Sequence, residues 1–279
     1  MTRWVRVAFC WVGVLIGLTV ANAAGCPNNP IAIGISRIIS IDPIEHTRIG
    51  SMQYSETLPL ADKEIVLTFD DGPLPPYTDR ILDILAHECV KATYFIVGSM
   101  ARAYPDTLRR IYAEGHTIGT HSQSHPMIFD QMPIERFQNE IERGINSTAA
   151  VLGNRNAVAP FFRIPGLARA TSVETYLRNR GVMTWSADLV ADDWTQIQAS
   201  EVFSRALRRI EAKGKGILLL HDIQPRTVAA LPLLLKELKA RGYRIVHVVP
   251  TSIDNPKTVT LPQDWMLNAG RYRAVVPVV

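Results

Sequence analysis

The chain has 279 residues, 47% apolar and 20% charged, with a mean hydropathy near zero, which excludes a disordered or fibrous protein and leaves one large domain or two small ones. Its formal charge is +4, of which Arg3 and Arg6 lie in an N-terminal stretch that holds no acidic residue. The +2 that remains without them gives no electrostatic footprint for a nucleic acid or a polybasic membrane contact.

Taken in chain order, residues 1–23 carry those arginines, a 14-residue apolar run from Val7 to Val20 and the small-residue exit Ala21-Asn22-Ala23. This is the pattern of a secretory signal, too short for the roughly 20 residues of a membrane span. The expectation is an exported chain, periplasmic or secreted, with no stable membrane span after signal removal. Cys10 leaves with the signal, and Cys26 and Cys89 remain as a pair that could bridge in an oxidising compartment. Ala23-Ala24-Gly25-Cys26 also resembles a lipobox, which makes a lipid anchor on Cys26 the alternative.

Residues 24–62 contain Pro, Gly and Asn without sustained periodicity and are expected to form a leader that wraps the domain rather than folding alone. From residue 63 to 250, short β-branched or aromatic runs alternate with helical stretches. EIVLTF precedes a helix over Thr78 to Glu88, ATYFIV one over Ser99 to Glu114, and HTIGT one over Ile134 to Leu152. VAPFFR precedes Ser172 to Arg180, VMTWSA precedes Ser200 to Ala212, GILLLH precedes Val228 to Arg241, and RIVHVV closes the series. Seven strands with six intervening helices predict an α/β fold, a distorted parallel (β/α) barrel in a single domain. Gly115, Gly181 and Gly242 mark helix exits. Residues 251–279 form a tail without periodicity.

In parallel α/β barrels ligands sit at the carboxyl ends of the strands, and there this chain places its unusual polar residues. EIVLTF runs into Asp70-Asp71-Gly72-Pro73, HTIGT into His121-Ser122-Gln123-Ser124-His125, VAPFFR ends on Arg163, VMTWSA runs into Asp188, and GILLLH ends on His221-Asp222. His121 and His125, four apart, would share one side of a helical turn and could hold a divalent ion with a neighbouring carboxylate. Of Asp70 and Asp71, successive side chains leave an extended backbone on opposite sides, so one would be a ligand and the other a general base. His221, at the end of an apolar strand, is a candidate general acid. Arg163 could fix the ionisation of the base.

The motifs TFDDGP, HSQSH, the Arg-x-Pro of RIPG, DLVADDW and LLLHD resemble, in order, the five motifs of the polysaccharide deacetylases, the NodB-homology domain of carbohydrate esterase family four. The resemblance implies a metal-dependent hydrolase removing N-acetyl groups from N-acetylglucosamine units of a glycan. It implies one divalent ion, zinc first, with cobalt, nickel or manganese as alternatives, on Asp71, His121 and His125. Asp70 would be the base, His221 the acid, Arg163 the residue that holds the base, and Asp188 or Asp193 the one that tunes the acid. Gly166, Trp194 and Leu219 would meet the substrate. Two departures from the family pattern stand out: Ile164 and Gly166 replace a proline and an aromatic in the third motif, and Asp188 lies farther from Asp193-Trp194 than the usual spacing. The alternatives are an O-deacetylase of acetylated xylan and a non-catalytic glycan-binding protein of the same fold. An HD-type phosphohydrolase is excluded because that site is built on helices, whereas this His-Asp ends a strand.

Overall fold

The computed structural model describes residues 26, 27 and 29–266; residues 1–23, expected to be a signal peptide, lie outside the described residues. The elements in chain order are β1 (Ile35–Ile41), β2 (Arg48–Ile49), β3 (Glu64–Asp70), α1 (Tyr77–His87), β4 (Thr93–Ile96), α2 (Gly98–Ala103), α3 (Pro105–Ala113), β5 (Thr117–Thr120), α4 (Ile134–Leu152), β6 (Phe161–Phe162), α5 (Thr171–Asn179), β7 (Met183–Trp185), β8 (Leu189–Val190), α6 (Ala199–Lys213), β9 (Gly216–His221), α7 (Pro225–Ala240) and β10 (Arg244–Pro250). Among the described residues every ladder between these strands is parallel; a single antiparallel bridge joins Glu56 to Met266. The ladder runs β8-β9-β3-β4-β5-β6-β7-β2, with β10 and then β1 branching from the first residues of β3. Among the described residues no ladder joins β2 back to β8. The result is the distorted parallel α/β barrel expected, with its hydrogen-bonded wall left open on one side.

Three strands, β1, β2 and β8, come in addition to the seven read from the sequence. Two of them belong to the expected leader. The helix expected over Ser99 to Glu114 is two helices, α2 and α3, broken at Tyr104 (φ −129°, ψ 61°), because the ring of Pro105 disfavours helical geometry in the residue before it. The glycines expected at helix exits all have positive φ: Gly115 at 79°, Gly181 at 66° and Gly242 at 75°.

Period-two alternation sorts the core. Ile65, Leu67 and Phe69 of β3 pack outward with Ile81, Leu85, Leu231 and Leu235 of the covering helices. Val66 points inward, where Phe95, Phe161, Met183, Trp185, Ile217 and Val246 fill the barrel. A third cluster lies under α4 and α5, around Phe137, Ile141, Phe162 and Leu177. The same alternation carries the inward row of β3 on to Thr68 and Asp70, that of β9 from Ile217 through Leu219 to His221, and that of β6 from Phe161 to Arg163. The strand phase that fills the barrel floor thus delivers polar groups to its rim.

The described part of the tail, residues 251–266, returns to the leader. Thr258 N–H donates to Ser40 O at 2.9 Å, and buried Trp265 stacks on His46 at 3.4 Å between ring centroids. Cys26 and Cys89 form a disulfide with Cα atoms 5.7 Å apart. A bridged sulfur has no thiol left for a thioether, so the lipid-anchor alternative on Cys26 does not hold in this structure. No helix among the described residues is long and apolar enough to cross a membrane.

Candidate active site

The inward row of β3 ends on Asp70, which is 2% exposed. Arg163, fully buried, donates from Nη1 to Asp70 Oδ1 at 2.6 Å and to Thr68 Oγ1 at 2.9 Å, and from Nη2 to Ser186 O at 2.9 Å. Its guanidinium lies 4.2 Å over the Phe95 ring. A buried cation and a buried carboxylate in this geometry fix each other. The sequence expectation that Asp70 and Asp71 point apart rested on extended backbone. Asp71 instead has φ +80°, and both carboxylates line one cavity.

Asp71 Oδ1 lies 3.5 Å from His121 Nε2 and 3.2 Å from His125 Nε2, and the three residues offer ligand atoms within 4.8 Å of one another. His121 Nδ1–H donates to Arg163 O at 2.6 Å, which leaves Nε2 with its lone pair toward Asp71, the arrangement metal-binding histidines adopt. Burial lowers the pKa of His121, against the pull of Asp70 and Asp71, favouring the neutral imidazole that ligation requires. Asp71 Oδ1 is itself buried without a hydrogen-bond partner. This donor set fits a divalent cation of the zinc class.

His121 and His125 do not share a helical turn. They bracket a loop with Ser122 at φ +66° and His125 at φ +56°, and the loop is shaped by residues distant in sequence. Glu140 of α4 accepts from Gln123 N and Ser124 N at 3.1 and 2.8 Å. Gly98 N–H donates to Ser122 O at 2.9 Å. A Cβ on Gly144 would come within 2.6 Å of the Ser122 backbone, so α4 reaches the loop only because that position is glycine.

His221 closes the other side. Its Nδ1–H donates to Asp193 Oδ1 at 2.8 Å, and its backbone N–H donates to Asp193 Oδ2 at 2.7 Å. Asp193, fully buried, also accepts from Thr227 Oγ1 at 2.5 Å. Burial works against charge on His221, but the Asp193 hydrogen bond and charge, with Asp71 and Asp70 beyond, raise its pKa to about 9. His221 Nε2 stands 3.9 Å from Asp71 Oδ2.

Of the two aspartates left open by sequence, Asp193 is the one on His221. Asp188 is a scaffold residue instead. Its carboxylate accepts from Ser51 N at 2.8 Å, Thr57 Oγ1 at 2.6 Å and Ile217 N at 2.8 Å, and so pins the leader and β9 to the end of β7. The reason is local: β8 carries the chain along β9 after Asp188, so only residues beyond it reach the rim.

Trp194, 47% exposed, meets the His221 ring edge-on at 5.6 Å. Leu219 and Gly166 line the same cavity of about 370 Å³, together with Met52, Met127, Ile164, Leu167 and Val190. Asp222, which sequence reading passed over as a partner of the site, is fully buried behind it and accepts from Gly72 N at 3.0 Å and Thr78 Oγ1 at 2.6 Å. Burial, with Asp71 nearby, pushes its pKa up to about 7. A Cβ on Gly72 would overlap that carboxylate, which is a reason for glycine in the DDGP turn.

The polysaccharide deacetylase family description matches residues 58–185. The chain is 32% identical to a peptidoglycan-N-acetylglucosamine deacetylase of Bacillus cereus over 68% of its own length and 89% of that protein. It is 30% identical to the chitooligosaccharide deacetylase of Sinorhizobium fredii, over 71% of this chain and 97% of that one. A solved peptidoglycan deacetylase of Bdellovibrio bacteriovorus superposes with a TM-score of 0.70 at 30% identity, over 79% of this chain and 61% of that one. Longer relatives are covered over only 38% to 40% of their length. The chain belongs to the polysaccharide deacetylase family, whose fold and motif order it carries.

Proposed function

We propose that this protein is an exported N-deacetylase that hydrolyses the acetamide of N-acetylglucosamine units in a glycan and releases acetate. The observation that supports this reading is the meeting, around one cavity, of an Arg-held carboxylate, a three-residue metal-type donor set and a carboxylate-held imidazole. Asp71, His121 and His125 would hold the divalent ion. Bound there, such an ion lowers the pKa of water and polarises a carbonyl.

Asp70 takes the proton of the attacking water. Arg163 holds that carboxylate in place through its 2.6 Å bond to Oδ1. The Gly166 backbone N–H is the proposed donor to the oxyanion that develops as water adds to the carbonyl carbon. His221, charged at neutral pH, gives its Nε2 proton to the departing nitrogen as the carbon–nitrogen bond breaks. Asp193 keeps the other ring proton on Nδ1, so only Nε2 is free to deliver one. The products are acetate and a free amine on the sugar. The Cys26–Cys89 disulfide supports an oxidising, extracytoplasmic compartment.

The test is product analysis by mass spectrometry with defined N-acetylglucosamine oligomers, peptidoglycan fragments and acetylxylan. The expected result is acetate with free amines from the first two, loss on chelation and return with zinc or cobalt. Acetate from acetylxylan alone would replace this reading by O-deacetylation, and release from none of them would end it.

A further inference from the structure

A second cavity, of about 220 Å³, is lined by Glu45, Thr47, Arg48, Gln53, Tyr54, Ser55, Glu56 and Arg169. All but Arg169 come from the leader, before the start of the family match at residue 58. It shares a wall with the catalytic cavity. Met52 lines one and Gln53 the other, and Leu167 lines one and Arg169 the other. The two walls are clasped together: Gln53 Nε2 donates to Leu167 O at 2.7 Å, and Arg169 Nη1 donates to Gln53 O at 3.0 Å.

The wall is built in advance. Glu174, side chain 4% exposed, accepts from Tyr54 Oη at 2.9 Å, from Arg48 Nη1 at 2.9 Å and from Arg169 Nε at 2.7 Å. Both guanidiniums lie against the Tyr54 ring, at 5.5 and 4.8 Å from its centroid. The charges of the lining are mixed and paired: Arg48 and Arg169 with Glu174, Glu45 with Lys257, and Glu56 with His46. That balance gives no net field for an anion, whereas donors, acceptors and an aromatic side by side suit the hydroxyls of an uncharged sugar.

We propose that this cavity is a glycan subsite that binds a neutral sugar unit of the same chain whose N-acetyl group lies in the catalytic cavity. The inference rests on the deacetylase reading for its substrate. It adds that the leader, not the barrel, measures the length of the glycan.

The experiment compares N-acetylglucosamine oligomers from dimer to hexamer in the full chain, by acetate release and by calorimetric titration. Ser55→Trp places a ring in the cavity from an exposed position, and Glu45→Gln, also exposed, exchanges one acceptor oxygen for a donor and removes the charge paired with Lys257 without loss of volume. The expected result is that kcat/KM rises with oligomer length in the parent, and that the hexamer-to-dimer ratio falls about tenfold in Ser55→Trp, the scale of one or two lost hydrogen bonds, and less in Glu45→Gln. Turnover whose length dependence ignores both substitutions overturns the subsite and leaves the deacetylase reading intact. Length-dependent binding that Ser55→Trp weakens, without turnover, keeps the subsite and overturns the activity. Neither binding nor turnover overturns both.

Discussion

On the Asp70 side of the rim a fully buried guanidinium meets a carboxylate at 2.6 Å; on the His221 side a fully buried carboxylate meets an imidazole at 2.8 Å. Both are ion pairs of a nitrogen group and an aspartate, yet the partner exposed to the cavity is reversed. Where the permanent cation lies behind, the group in front is kept as a proton acceptor. Where the carboxylate lies behind, it raises the pKa of the imidazole in front, which is kept as a proton donor. The direction of proton flow proposed for this site is therefore set by which member of each pair the barrel buries.

The largest expected effect tests the acceptor side. Asp70→Asn removes the base and should lower kcat by about 10³-fold, within the range general-base catalysis contributes, as measured by acetate release. A loss under tenfold would assign the base elsewhere. Next, Arg163→Met leaves the Asp70 carboxylate buried without its partner and should cost about 3–5 kcal/mol in urea unfolding.

The donor side should respond through pH. His221 has its pKa raised from 6.5 to about 9, so the stability its charge contributes is complete below about pH 6.5 and is lost as pH rises through about 9. Asp193→Asn should lower kcat about 10- to 100-fold and bring the alkaline limb of the rate profile down toward the ordinary histidine range. A limb that stays in place would remove Asp193 from the acid's control. The smallest effect separates the two aspartates. Asp188→Asn should cost about 1–2 kcal/mol by disturbing hydrogen bonds to the leader and β9, while the alkaline limb keeps its parental position.

The barrel strands were legible where they are long and buried on both faces, as in β3 and β9. Their carboxyl ends gave Asp70, Asp71, His121, Arg163 and His221 because strand phase and chain direction together place them. β1 was not legible: its pairing slips between Ile35 and Arg37, so no clean alternation marks it. β8 has two residues, too few for any period, and it decides between Asp188 and Asp193. The four-residue spacing of His121 and His125 suggested a helix because nothing local announces the contacts from Glu140 and Gly144 that hold the loop. Asp222 was passed over as a partner because its role lies in a turn 150 residues away.

The pairing of β1 with β10 joins the first strand of the described chain to the last. Parallel β10 in turn docks on the opening residues of β3. A sheet with this branch cannot be completed by a growing chain until β10 has been made, since contacts of such long sequence separation form late. For a protein proposed to work outside the cytoplasm, that delay keeps it in the state in which an unfolded polypeptide can pass a narrow membrane pore.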